Sequence, residues 1–200
     1  MTPAADRNAQ AHLWPVLLAL TGAFTLSQAY RTVAALMAPP LAAEFGLSPR
    51  ELGLFAAAFH FSFGALQLFM GVGIDLYGVR RVVLAVFPLA VAGALMSAAA
   101  QGFGSLLAGQ ILIGIGCAPA FLVCTVFIAQ RFEPQRFAAV SGTVLGIGGV
   151  GMLFTGTPLA WLIEASSWRV GFLVLAALSA AAWVAIFLMT RQLATATPAP

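Results

Sequence analysis

Long apolar runs separated by short polar links constrain this chain more than any other feature. A helix needs about 20 consecutive apolar residues to cross the hydrocarbon core of a bilayer. Six runs approach or exceed that length, at about 13–38, 52–74, 81–100, 105–130, 137–163 and 169–190. Inside hydrocarbon the backbone must satisfy its own hydrogen bonds, which favours helices. The runs therefore predict an all-α membrane protein with six transmembrane helices in a domain spanning 13–190. Composition excludes the soluble alternative: 62% of residues are hydrophobic and 8% charged, against about 25% charged in soluble domains. The main partner is then the lipid bilayer. Residues 1–12 are polar, and the run after them is too long for the apolar stretch of a signal peptide, about 7–15 residues. They read as a tail on the cytoplasmic side. Residues 191–200, "RQLATATPAP", read as a second cytoplasmic tail or the start of a linker.

The links carry topological information. Ser48 and Glu51 in "EFGLSPRE" have the spacing of a capping box for the second helix. The chain has no lysine, and its positive charge is carried by nine arginines. With the N-terminus inside the cell, Arg7, Arg80, Arg81, Arg131, Arg136 and Arg191 fall on the inner side, and only Arg50 and Arg169 on the outer. That bias follows the positive-inside rule and predicts a multi-pass protein of the cell membrane with both termini cytoplasmic. The arginines form no continuous stripe, which argues against nucleic acid as a partner. Cys117 and Cys124 lie seven residues apart on one run, roughly 10 Å along a helix. That is too far for a disulfide, so they read as small packing residues.

Several residues stand out against the apolar background. The turn "GVGIDLYGVRR" concentrates Asp75, Arg80 and Arg81 between two runs. Gly78 suits a sharp bend there. Asp75 sits at the end of the second helix, where the macrodipole disfavours a carboxylate. Arg31, with Gln28 one turn before it, lies within the first run. A charge at mid-membrane costs about 2.5–3.5 kcal/mol, so Arg31 either snorkels to the interface or faces a cavity. His60, Gly64, Gln67, Gly71 and Asp75 share one face of the second helix, and His60 has the chemistry of a proton carrier. Gln110, Gly114, Cys117 and Phe121 form a similar stripe on the fourth. Gly142, Gly146 and Gly149 predict close helix contact on the fifth.

These motifs together resemble the major facilitator superfamily. "GVGIDLYGVRR" is similar to that family's turn between helices two and three, matching at Gly71, Asp75, Gly78, Arg80 and Arg81 and departing at Leu76, where the family usually has a basic residue. "QILIGIGCA" resembles the family's fourth-helix motif at Gly114 and Gly116, with Gln110 in the place of its arginine. "SSWRVGF" resembles the link into helix six at Trp168, Arg169 and Phe172. The resemblance implies the N-terminal six-helix half of a secondary transporter, and hence a C-terminal six-helix half as partner, in the same chain or a second one. It implies that Asp75 latches the two halves in the outward-open state, and that helix one lines the substrate cavity, where organic-anion members often carry an arginine. "EFGLSPRELG" and "RFEPQRFAAVSG" echo one another, as an inverted three-plus-three repeat would require.

The expected function is therefore transport of a small-molecule organic solute, with an anion favoured by Arg31. Gln28, His60, Gln67 and Gln110 are further candidates for binding it. The alternative is a six-helix membrane protein that does not transport, a relic or an assembly partner. No nucleotide-binding loop, metal-ligand cluster or paired intramembrane carboxylate appears in the sequence, so neither an enzyme nor a cofactor or metal site is expected.

Overall fold

The computed structural model describes residues 13–194, with side chains described to residue 191. The predicted tail at 1–12 and most of that at 191–200 lie outside the described residues. All described secondary structure is helical: α1 (Leu13–Phe45), α2 (Pro49–Val86), α3 (Pro88–Ala98), α4 (Phe103–Cys117), α5 (Ala120–Arg131), a 3-10 turn (Pro134–Arg136), α6 (Phe137–Thr155), α7 (Thr157–Ala165) and α8 (Trp168–Ala194). Four helical stretches among the described residues are long and apolar enough to cross a membrane: Pro49–Ala98, Phe103–Arg131, Pro134–Ala165 and Trp168–Arg191. Two of the six predicted runs, 52–74 and 81–100, fall in the first of these. The run 13–38 falls on α1, which is long enough at 33 residues but carries Thr21, Thr25, Ser27, Gln28, Arg31 and Thr32 and is not among the four.

Local chemistry explains most boundaries. At the start of α2, Ser48 accepts from the Glu51 amide, and the Glu51 carboxylate accepts from the Ser48 amide at 2.8 Å, the predicted capping box. Gly78 has φ +81°, a left-handed backbone that breaks the helical path of α2, as its place in the turn predicts. Pro88 lacks an amide hydrogen, so the Leu84 carbonyl loses its usual donor. Trp183 of α8 supplies one from Nε1 at 3.0 Å.

Two expectations are corrected. The first apolar run, 13–38, stops just before Pro39 and Pro40, where a helix is expected to end, but α1 continues through both to Phe45. The prolines remove the donors for the Ala35 and Leu36 carbonyls, and Ala35 is exposed, so the helix continues where those carbonyls lie near the surface. On α6 the close approaches are not at Gly142, Gly146 and Gly149, where an added Cβ would meet nothing within 4 Å. They are at Gly148 against the Phe24 ring and Gly151 against the Thr25 carbonyl. The buried face of α6 runs through Val140, Val144, Gly148, Gly151 and Thr155, and the three predicted glycines lie beside that face.

α1 is central. It packs on α6, α8 and α5, while α3 packs on α4 and α8, and α2 on α4. Tyr30 of α1 bonds Ser179 of α8 at 3.0 Å in the buried core. Cys117 and Cys124 are free and buried, as packing residues should be.

One end of the bundle is held by a clamp. The Glu44 carboxylate accepts from Trp168 Nε1 and from Arg169 Nη1, each at 2.7 Å. Arg169 also donates to the Ala100 carbonyl at 2.9 Å and stacks on the Trp168 ring. The Trp168 hydrogen bond, followed by that from Arg169, lowers the Glu44 pKa. The clamp's stability is therefore present above the unfolded-state pKa of about 4.3 and is lost as pH falls through the lower folded value. Glu44→Gln should remove this acid-dependent part. Melting curves in detergent across the acid range should then differ between the two proteins, and identical pH profiles would show that the clamp contributes nothing.

Candidate binding cavity

α1 and α2 meet where Arg31 lies over the Phe63 ring, its Cζ 4.3 Å from the ring centroid. A cation over an aromatic face is stabilised by the ring quadrupole. That contact leaves hydrogen-bonding capacity unused: Arg31 Nε is buried without a partner. Neither ion pair among the described residues involves Arg31. The side chain borders a cavity of about 350 Å³ lined by Phe24, Gln28, Arg31, Phe63, Gln67, Phe121 and Leu145. Arg31 is the one charged residue in this lining, so the cavity is cationic. Two amides and an aromatic wall complete it, with Phe24 and Phe121 in ring contact at 5.0 Å.

The break between α4 and α5 shapes one side of this cavity. Pro119 interrupts the helix, and the Ala118 carbonyl just before it accepts from Gln67 Nε2 at 3.0 Å. Gln67 thus serves the backbone of the break while also lining the cavity. On the far side, Leu145 comes from α6, which Gly148 and Gly151 allow to lie close against α1.

Of the five residues singled out as binding candidates, the structure brings three together: Gln28, Arg31 and Gln67. His60 lies outside this lining. It is exposed, with Nδ1 at 3.0 Å from the Ala56 carbonyl and its ring edge-on to Phe59. Gln110 is fully buried, and both its amide atoms lack partners. It too is absent from the cavity. Phe24, Phe63 and Leu145 went unnoticed in sequence because phenylalanine and leucine are common throughout these runs. Phe24 and Phe63 share the faces that carry Gln28, Arg31 and Gln67, whereas Leu145 lies on α6 and has no such signal.

The turn motif lies elsewhere. Gly71 faces Leu122 of α5, and Gly78 makes the bend. Arg80 Nε donates to Thr190 Oγ1 of α8 at 3.3 Å. Asp75 and Arg81 are exposed. Among the described residues no ion pair reaches Asp75.

Long apolar helices packed through glycine contacts, with Arg31 on the wall of a cavity between them, are those of an integral membrane protein. The family model described as Major Facilitator Superfamily matches residues 19–200. The chain belongs to that family, one of membrane transporters rather than enzymes. It is 29% identical over 164 residues to a hexuronate transporter of Bacillus subtilis, covering 80% of this chain and 38% of the relative. It is 31% identical over 130 residues to solute carrier family 2, facilitated glucose transporter member 10, of Mus musculus, covering 64% and 24%. It is 30% identical over 132 residues to a D-galactonate transporter of Escherichia coli O6:H1, covering 66% and 30%. The aligned region thus spans well under half the length of these relatives.

Proposed function

We propose that this chain forms one half of a secondary transporter that moves a small organic anion by alternating access, with the anion held at Arg31. The observation that carries this reading is an unpaired arginine on a cavity wall, its Nε buried without a partner. A carboxylate or sulfonate would satisfy that donor and the charge together, and the flanking amide of Gln28 could orient it. Two of the relatives named above transport sugar acids by name, which supports an anion. The glucose transporter among them supports the broader class of sugar-like solutes. Uptake by the full-length protein in proteoliposomes tests this. A labelled sugar acid should enter, and a neutral sugar of the same size should not displace it. Preference for the neutral sugar would overturn the anion reading.

The proposal includes six crossings of the cell membrane with both termini cytoplasmic. The bend at Gly78 supports it by dividing the 50-residue stretch Pro49–Ala98 into two legs. At about 1.5 Å per residue the undivided stretch would be far longer than one crossing needs. Pro49 and Pro134 each open a helical segment, in keeping with the echo between their links and with an inverted repeat. Single cysteines at positions 50 and 80 should react from opposite sides of intact cells, and reaction of both from outside would defeat this topology.

A second six-helix half completes the proposal, with Asp75 latching against it. That no ion pair among the described residues reaches Asp75 favours this use of the carboxylate. Asp75→Asn should leave the melting temperature of the 200-residue chain nearly unchanged, because no ion pair is broken. In the full-length transporter it should slow turnover while sparing substrate affinity. Strong destabilisation of the 200-residue chain would place the partner of Asp75 within it and remove the latch.

A further inference from the structure

A second cavity lies at the Gly78 bend, apart from the one at Arg31. It has a volume of about 330 Å³, and Arg80, Arg81 and Arg131 line it together with Tyr77, Gln130 and Thr190. No carboxylate lines it. The two ion pairs among the described residues, Arg136–Glu133 and Arg169–Glu44, involve none of its arginines. Three arginines from two separate elements, the α2 segment after the bend and the end of α5, thus line one small space, and among the described residues none of them is in an ion pair. Arg80 is fixed there by its bond to Thr190. The Thr190 hydroxyl donates to the Ile186 carbonyl at 2.6 Å, leaving an oxygen lone pair for the arginine.

An apolar groove adjoins the pocket. It has a volume of about 400 Å³, is lined by Met70, Gly73, Val82, Ala85 and Val86, and shares Tyr77 and Arg81 with the cationic pocket. The two spaces therefore form one amphipathic site, with a tyrosine at the boundary where such side chains favour one wet and one apolar end. We infer that this site holds an anionic phospholipid, its phosphate among Arg80, Arg81 and Arg131 and an acyl chain in the groove. A free phosphate would leave the groove unfilled. A helix from a partner would lie about 8–10 Å away, axis to axis, and would cover the groove rather than fill it. The inference needs only that the chain resides in a membrane and is independent of what the Arg31 cavity carries.

The full-length protein in detergent provides the test. Dioleoyl phosphatidylglycerol should remain bound in native mass spectrometry and raise the melting temperature, whereas dioleoyl phosphatidylcholine and glycerol phosphate should do neither. Arg81→Gln combined with Arg131→Gln should weaken phosphatidylglycerol binding by about thirtyfold, since each arginine facing anionic lipid contributes about fivefold. Arg50→Gln combined with Arg191→Gln removes the same charge elsewhere and should leave binding intact. Ala85→Trp, at an exposed groove position, should reduce binding of the diacyl lipid by filling the slot. Lipid-free melting temperatures of these variants should match the parent, showing that they fold. Equal binding of phosphatidylcholine, equal stabilisation by glycerol phosphate, or an equal loss in the Arg50/Arg191 variant would each overturn the inference. The second of these would mark a site for soluble anions, and the third a general surface-charge effect.

Discussion

Replacing Arg31 by alanine is expected to weaken binding of a small organic anion by more than about tenfold, roughly 1.4 kcal/mol, without lowering the stability of the chain. Both halves of that expectation follow from the same geometry. The guanidinium has an aromatic contact at 4.3 Å and no acidic partner among the described residues. A charge held this way costs free energy in the unliganded protein, and an anion repays it by completing the hydrogen bonds. Hydrogen bonds to charged groups contribute about 1.5–3 kcal/mol each, so losing even one accounts for the tenfold effect. Arg31→Lys separates charge from shape: it keeps the cation but loses the planar fork, and its affinity should fall between parent and alanine variant. Isothermal titration with a sugar acid measures the series. Unchanged affinity in a well-folded Arg31→Ala protein would make the residue an interfacial anchor.

The largest stability effect is expected at Gly151. A Cβ placed there runs into the Thr25 carbonyl and its carbon, which are backbone atoms and cannot rotate away. Lipid gives helices little hydrophobic reason to associate, so close backbone approach carries much of their packing. Gly151→Val should therefore cost at least about 3 kcal/mol, the upper part of the range for overpacked sites. Gly146→Val is the matched control on the same helix. Its Cβ meets nothing within 4 Å, and the change should stay within about 1 kcal/mol of neutral. Melting and monodispersity in detergent report both. Equal behaviour of the two variants would mean that α1 and α6 do not meet at Gly151.

The same pair of glycines shows how much of the fold the sequence reveals. Helix existence and the bend at Gly78 are legible because length, apolarity and left-handed backbone preference are local properties. So is the capping box, whose two partners are three residues apart. Which glycine of a glycine-rich helix touches its neighbour is not local. It depends on helix rotation, and in "SGTVLGIGGVGML" almost any rotation puts some glycine inward. The sequence pattern points to Gly142, Gly146 and Gly149, and the contacts fall on Gly148 and Gly151. The cavity divides in the same way. Arg31, Gln28 and Gln67 stood out as polar residues in apolar runs and share a lining. His60 and Gln110 stood out equally and do not join it, because polarity marks a residue as unusual without saying which way it faces. Glu44 escaped notice altogether: a carboxylate near a helix end is ordinary until Trp168 and Arg169, over a hundred residues away, are seen to converge on it.

The central position of α1 has a consequence for how the protein is made. Synthesis proceeds from the N-terminus, so α1, which carries Arg31, leaves the ribosome before the helices that pack on it, α5, α6 and α8. In the interval Arg31 has Phe63 of α2 beside it but lacks the α6 wall of its cavity, which Leu145 supplies. Nascent chains halted before residue 137 should therefore hold α1 in the bilayer less firmly than completed ones, as an extraction assay on arrested chains would register. On that outcome the membrane anchorage of α1 belongs to the assembled bundle, acquired retroactively, rather than to the segment by itself.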